Sequence, residues 1–199
     1  MGALRPGSSG PEVKALQQRL SDLGYWVSAA NGRYGLTTTQ AVMALQKVAG
    51  LGRDGVAGLR TMAALETGTR PSVRTSVGSA IEIDKARQVV KVIQNGRVRW
   101  VLNTSTGSGE TYRNKEGQLR IAVTPSGTFR VDRQIRGWHT APLGKLYSPK
   151  FFNGGIALHG SESIPGHPAS HGCARLSVPA MDLMWSSGAM PIGTRVVVY

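Results

Sequence analysis

The sequence predicts an α+β protein in two unequal parts, a small three-helix N-terminal domain followed by a β-rich domain. Three observations carry this. Apolar residues recur at helical spacing early in the chain, at Val13, Leu16, Leu20 and Leu23 and again at Ala41, Leu45 and Val48. From "SAIEID" onward the apolar runs are β-branched or alternating instead. Between them "TGTRPSVRTSVG", residues 67–78, has almost no large apolar side chains and reads as a linker. The expected division is 1–66, 67–78 and 79–199, with halves that separate and fold on their own.

In the first helical stretch, "SSGPEVKALQQRLSDLGY", Ser or Gly serves as cap, Pro11 falls in the first turn and Gly24 is placed to end the helix. "LTTTQAVMALQKVAG" opens on threonines suited to capping and stops at Gly50. "LRTMAALE" forms a third, shorter helix, and the loops "AANGRYG" and "LGRDGVAG" separate the three. The first two helix–loop units are loosely alike, without the many repeats of a solenoid.

The second part begins with "SAIEID" and "QVVKVIQ". Asn95-Gly96 then marks a two-residue hairpin into "RVRWVLN". "SGTFRVDRQI", "GIALHG" and "TRVVVY" are further strands. One helix is expected here, capped by Ser177, with Pro179 in its first turn and Gly188 at its end.

A chain of 199 residues can bury a substantial core. Its formal charge of +13, from 24 Lys and Arg against 11 Asp and Glu, favours polyanionic surroundings. The basic residues are scattered singly, without the block that marks a nucleic-acid arm, so no nucleic-acid partner is expected. No apolar run is long enough for a membrane span, and "MGALRPGSSGPEV" lacks the apolar centre of a signal peptide. Such a chain is cytoplasmic or the mature form of an exported protein, and a monomer is expected. A single cysteine allows no internal disulfide.

That cysteine lies in "IALHGSESIPGHPASHGCARL", residues 156–176, together with three of the four histidines. His159, His167, His171 and Cys173 could supply a tetrahedral metal site, but a single glycine between His171 and Cys173 is tighter than the usual ligand pair, and a second Cys pair is lacking. No metal and no cofactor are expected. As a nucleophile, Cys173 needs activation, since a free thiol has a pKa of about 8.5. Small neighbours surround it, and the amides of Gly172 and Cys173 could face a developing oxyanion. His159, at the end of an apolar strand, is placed where a base on a rigid element would sit. A Cys–His pair and an inert, buried cysteine both remain open on these residues alone.

Two resemblances bear on the choice. The segment from about residue 8 to 66 resembles the three-helix peptidoglycan-binding domain. It has a Leu-Gln first helix, a Gly-aromatic-Gly loop in "GRYG", "AVMALQ" with Leu45 where the family has phenylalanine, and "DGVAG" before the third helix. Residues 79–199 resemble the L,D-transpeptidase (YkuD-like) catalytic domain through "IALHG…ASHGCARL", "LNTSTG", "TPSGTFRV", "LYSPKFFNGGIALHG" and "PIGTRVVVY".

The resemblance implies that Cys173 is the nucleophile and His159 its base, with a backbone carbonyl orienting the ring because Gly160 has no side chain. His171 and Gly172 match the motif around the thiol. Arg175 would anchor the loop or hold a substrate carboxylate, while Tyr147, Ser170 and Gly160 would line the substrate cleft. The implied activity is cleavage of the bond between the third residue and the terminal D-alanine of a peptidoglycan stem tetrapeptide through a thioester, then 3→3 cross-linking. The alternatives are an L,D-carboxypeptidase that uses water, and a non-catalytic wall-binding protein. The resemblance further implies peptidoglycan as partner, an extracytoplasmic location at the wall or periplasm, a part in wall biogenesis and cell shape, and reaction with carbapenems.

Overall fold

A computed structural model describes residues 2–199. Three helices come first, α1 (Pro11–Asp22), α2 (Leu36–Val48) and α3 (Leu59–Glu66). Each starts after a glycine, at Gly10, Gly35 and Gly58, and none has a side-chain cap bond, so the threonines of α2 do not cap it. Pro11 stands at the start of α1, where a missing N–H costs nothing. Val13, Leu16, Leu20, Ala41, Ala44 and Leu45 turn inward into one apolar cluster.

The remainder is built on two sheets. Strands β1 (Ala80–Asp84), β2 (Val89–Gln94), β3 (Arg97–Asn103), β6 (Gly127–Arg130) and β12 (Arg195–Val198) form the first, in the order β3-β2-β1-β12-β6. Only β1 and β12 run parallel in it. Asn95 and Gly96, at φ 51 and 71, make the predicted tight turn between β2 and β3. The second sheet has β7 (Arg133–Gln134), β9 (Gly144–Asn153), β10 (Ile156–Ser161) and β11 (Ala174–Ser177), in the order β11-β10-β9-β7, with β8 (Trp138–Ala141) also paired to β9. A separate ribbon joins β4 (Thr111–Arg113) to β5 (Leu119–Ile121).

Helix α4 (Val178–Ser186) begins at Ser177, whose hydroxyl accepts from the Ala180 amide, and packs on β9, β10 and β11. Ile81, Ile83, Val90, Val92, Leu102, Leu158, Leu176, Met181 and Val196 fill the core between the layers.

The two halves share a packed seam, which the linker composition does not predict. Successive residues of a strand face opposite ways. Val90, Val92 and Leu102 enter the core of the β half, while Val89 and Val101 join the cluster of the helices. Burial on both faces explains the uninterrupted apolar run at "VV". The chain at Tyr25 also pairs with β3 at Val101, with Trp26 N–H donating to Val101 O and Val101 N–H to Gly24 O, which closes the open edge of the first sheet. The linker is itself fastened. Arg70 donates to the Leu23 and Asp22 carbonyls, and the Arg74 and Thr75 amides both donate to Glu82.

Candidate active site

Strands β10 and β11 run side by side in parallel, with Leu158 opposite Ala174 and His159 opposite Arg175. Alternation then puts Ala157, His159 and Ser161 of β10 on the same face as Cys173 and Arg175. That face floors a cavity of about 540 Å³. The β4–β5 ribbon contributes Tyr112, Arg120 and Ile121 to its walls, the turn between β8 and β9 contributes Pro142 and Leu143, and the start of β9 contributes Lys145. Arg120, Lys145 and Arg175 line it without any carboxylate.

His159 is 3 % exposed. Its Nδ1 lies 2.8 Å from the Gly160 carbonyl, which only accepts, so Nδ1 carries the proton and Nε2 is left as a base. Burial drives the imidazole pKa down to about 4, the Arg175 charge adds to the fall, and the Gly160 carbonyl opposes it. The Cys173 thiol accepts from the Ala157 amide at 3.4 Å. Burial raises its pKa above the ordinary thiol value, while the Ala157 amide and the Arg175 charge pull it back. At neutral pH the resting pair is therefore an uncharged thiol and an uncharged imidazole.

The predicted residues separate into three groups. Cys173, His159, His171, Arg175 and Ser170 all line the cavity. His171 is exposed and meets the Tyr112 ring edge-on at 4.8 Å. Ser170 lines the cavity but spends its hydroxyl within the turn, donating to Cys173 O and accepting from the Gly172 amide. Gly172 thereby loses the free N–H expected of it. Its φ of 137° and the approach of Val123 O, 3.0 Å from where a Cβ would lie, explain the glycine instead.

Tyr147 and Gly160 lie outside the cavity walls, contrary to the sequence expectation. Tyr147 donates to Asp182 of α4, and a Cβ on Gly160 would come within 2.8 Å of the Tyr147 ring, so both belong to the underside of the sheet. Gly160 still serves the site through its carbonyl. His167 and His139 stand apart from the cavity walls, His139 edge-on to Phe151.

Other residues escaped the sequence reading. Thr124 donates from its hydroxyl to Gly172 O and accepts from the Gly107 amide, fastening the cysteine turn from below. Its place in "TPSG" was the available signal. Arg120 and Lys145 sit on segments without strong periodicity and gave none. Among the described residues no group of three or more His, Cys, Asp or Glu side chains is placed to hold a metal ion, and no helix is long and apolar enough to cross a membrane.

Residues 78–198 match the family model described as the L,D-transpeptidase catalytic domain, and residues 9–65 match that of the putative peptidoglycan binding domain. The chain thus belongs to the L,D-transpeptidase family and carries a peptidoglycan-binding domain at its N-terminal side. It is 52 % identical to the crystal structure of the L,D-transpeptidase (residues 123–326) from Xylanimonas cellulosilytica, with a TM-score of 0.96, covering 100 % of this chain and 98 % of that one. A Stackebrandtia nassauensis L,D-transpeptidase, 21 % identical with a TM-score of 0.55 over 98 % of this chain and 94 % of its own, shares the fold. The N-acetylmuramoyl-L-alanine amidase CwlL of Bacillus licheniformis is 48 % identical over 64 residues, 31 % of this chain and 18 % of that protein. The chain spans under a fifth of the curated relatives it matches.

Proposed function

We propose that the protein is a cysteine-dependent L,D-transpeptidase that acts on peptidoglycan stem tetrapeptides and forms 3→3 cross-links. The observation that carries this reading is the shared face of β10 and β11. It brings Cys173, His159 and Arg175 into one cavity lined by cations and no acid.

In the first step the Cys173 sulfur attacks the carbonyl of the third stem residue and its proton passes to Nε2 of His159. The carbonyl oxygen becomes an oxyanion near the Cys173 amide, the backbone donor left in the turn once the Gly172 amide has gone to Ser170. His159 then returns the proton to the departing nitrogen. The peptide bond breaks, D-alanine leaves and a thioester remains. In the second step an amine from a neighbouring stem attacks the thioester, loses a proton to His159, and the thiol is restored. Arg175 stabilises the thiolate as it forms and offers a substrate carboxylate its guanidinium. The helical domain holds the enzyme on its polymer and raises the local concentration of stems.

The test is incubation with purified disaccharide-tetrapeptide and mass spectrometry of the products. A cross-linked dimer and free D-alanine are expected, and Cys173→Ala should give neither while melting near the wild-type temperature. Tripeptide without dimer would make the protein an L,D-carboxypeptidase, and no product would leave only wall binding. A carbapenem should form one covalent adduct per chain, on the peptide containing Cys173.

A further inference from the structure

Lys47, on helix α2 of the wall-binding domain, is 2 % exposed. Its Nζ donates to the Gln88 carbonyl at 3.1 Å and the Thr104 carbonyl at 2.8 Å. Among the described residues no carboxylate pairs with it. The ion pairs found are Arg87 with Asp84 and Lys91 with Glu82. Burying an amine without a counter-charge is costly, and a Met or Leu of similar length would pack α2 against the sheet without that cost. What an apolar residue cannot do is hold two backbone carbonyls of the other domain.

Those carbonyls belong to the support of the catalytic turn. The Thr104 hydroxyl donates to Arg175 O, and Ser105 pairs backbone to backbone with Arg175. The Gln88 side chain accepts from Thr106 N–H and donates to the Thr106 hydroxyl. Thr106 O accepts the amides of Ala169 and Ser170, and the Ser170 hydroxyl donates to Cys173 O. Gln88 itself sits at φ 60, a left-handed conformation that a non-glycine residue adopts only under support from its surroundings. An unbroken series of hydrogen bonds thus runs from Lys47 to the backbone of both Cys173 and Arg175.

Two neighbours on the helical side grip the same region. Gln40, seven positions before Lys47 on α2, accepts from Asn103 Nδ2, and Arg53 donates to Gly166 O. Burial lowers the Lys47 ammonium to about 7, with Arg53 adding to the fall.

We infer that Lys47 is a positioning residue for the cysteine turn, through which the wall-binding domain fixes the alignment of Cys173 and Arg175. The inference rests on the reading of Cys173 as the nucleophile and adds that the helical domain completes the site as well as anchoring it.

The test uses the full chain with Lys47→Met. Four readouts are compared with wild type: alkylation of Cys173 by iodoacetamide at pH 7, kcat and KM on the tetrapeptide, pelleting with wall sacculi, and melting temperature. Loss of alignment with the Ala157 amide and Arg175 should slow alkylation about threefold or more and lower kcat about 10- to 100-fold with KM within about twofold. Pelleting should be unchanged. Leu20→Ala, on α1 in the helical core, is the control for stability alone: it should lower the melting temperature yet keep kcat and alkylation within about twofold of wild type. Alkylation and kcat of Lys47→Met at or above wild type would overturn the inference, as would the same losses in Leu20→Ala. Should Lys47→Met not fold, Thr104→Val cuts the next bond in the series and must slow alkylation in the same way, and an unchanged rate overturns the inference. A wild-type protein without turnover would sink the proposed reaction, while alkylation would still decide the positioning role.

Discussion

The seam between α2 and the β2–β3 pair and the cavity above β10 and β11 both contain polar side chains, and they treat them in opposite ways. In the seam the chain supplies the partners. Lys47 has two carbonyls, Gln40 has Asn103, and Tyr25 donates to Thr69 O. The exception is Asn103 Oδ1, which is buried and unbonded, beside a void of about 10 Å³, room for roughly one water. In the cavity, Arg175, Arg120 and Lys145 face the same space without a carboxylate, and the thiol has only weak contacts, accepting from the Ala157 amide at 3.4 Å and reaching the Gly155 carbonyl at 3.8 Å. Polar groups completed by the fold hold it together. Those left incomplete in a concave site await a partner from outside.

Breaking the seam should have the largest effect. Residues 79–199 alone would expose Val89 and Val101, each worth about 1.5–3 kcal/mol buried, and would leave the Gln88 and Thr104 carbonyls without their donor. Calorimetry of that fragment should show a loss on the order of 5 kcal/mol or no cooperative transition. A fragment as stable as the whole would mean that the seam contributes little.

Altering the cavity alone should leave the fold in place. His159→Ala is expected to lower kcat by roughly 10²- to 10⁴-fold with KM little changed, because a base acts in the transition state. A change confined to KM would move His159 to substrate binding.

Acid sharpens the contrast further. The folded pKa of His159, about 4, lies below the 6.5 of an exposed imidazole, so the unfolded chain takes up the proton first as pH falls. The stability contributed is complete above about pH 6.5 and is lost on the way down to about 4, at most about 3 kcal/mol. Denaturant titrations of wild type and His159→Gln over this window should differ by that slope. The smallest effect is expected at Gly160→Ala, where the new methyl meets Tyr147 and Met181. It should cost about 1–3 kcal/mol and tilt the carbonyl that holds His159.

Much of this organisation is legible in the residues. Periodicity locates the helices, Asn95-Gly96 locates the hairpin, and Ser177 the cap of α4, because each depends on neighbours in sequence. The roles expected of Cys173 and His159 come from the resemblance of one motif to the L,D-transpeptidase domain, since the residues and their spacing alone leave an inert cysteine open. A backbone carbonyl orienting His159 is expected from the resemblance, but which carbonyl supplies it is not legible, nor is the loss of the Gly172 amide to Ser170, and Tyr147 falls on the other face because a strand reverses facing at every residue. The β4–β5 ribbon hides in "TYRNKEGQLRI", which is largely charged or polar and has little apolar alternation. The strength of the seam is invisible for a related reason. A polar linker composition reports solvation, not the carbonyls and carboxylate to which Arg70, Arg74 and Thr75 are bound.

The central position of β12 has a consequence for how the molecule assembles. Ile81 pairs with Val196 and Ile83 with Val198, so the middle of the first sheet joins segments from opposite ends of the β half. The helices close through near neighbours and form early, whereas a parallel pairing across so long a loop is slow. Until residues 195–198 slot between β1 and β6, the layer beneath the cavity has a gap where Val196 and Val198 belong. Synthesis from the N-terminus therefore delivers the helices first, and the layer beneath Cys173 is completed only after β12 has emerged.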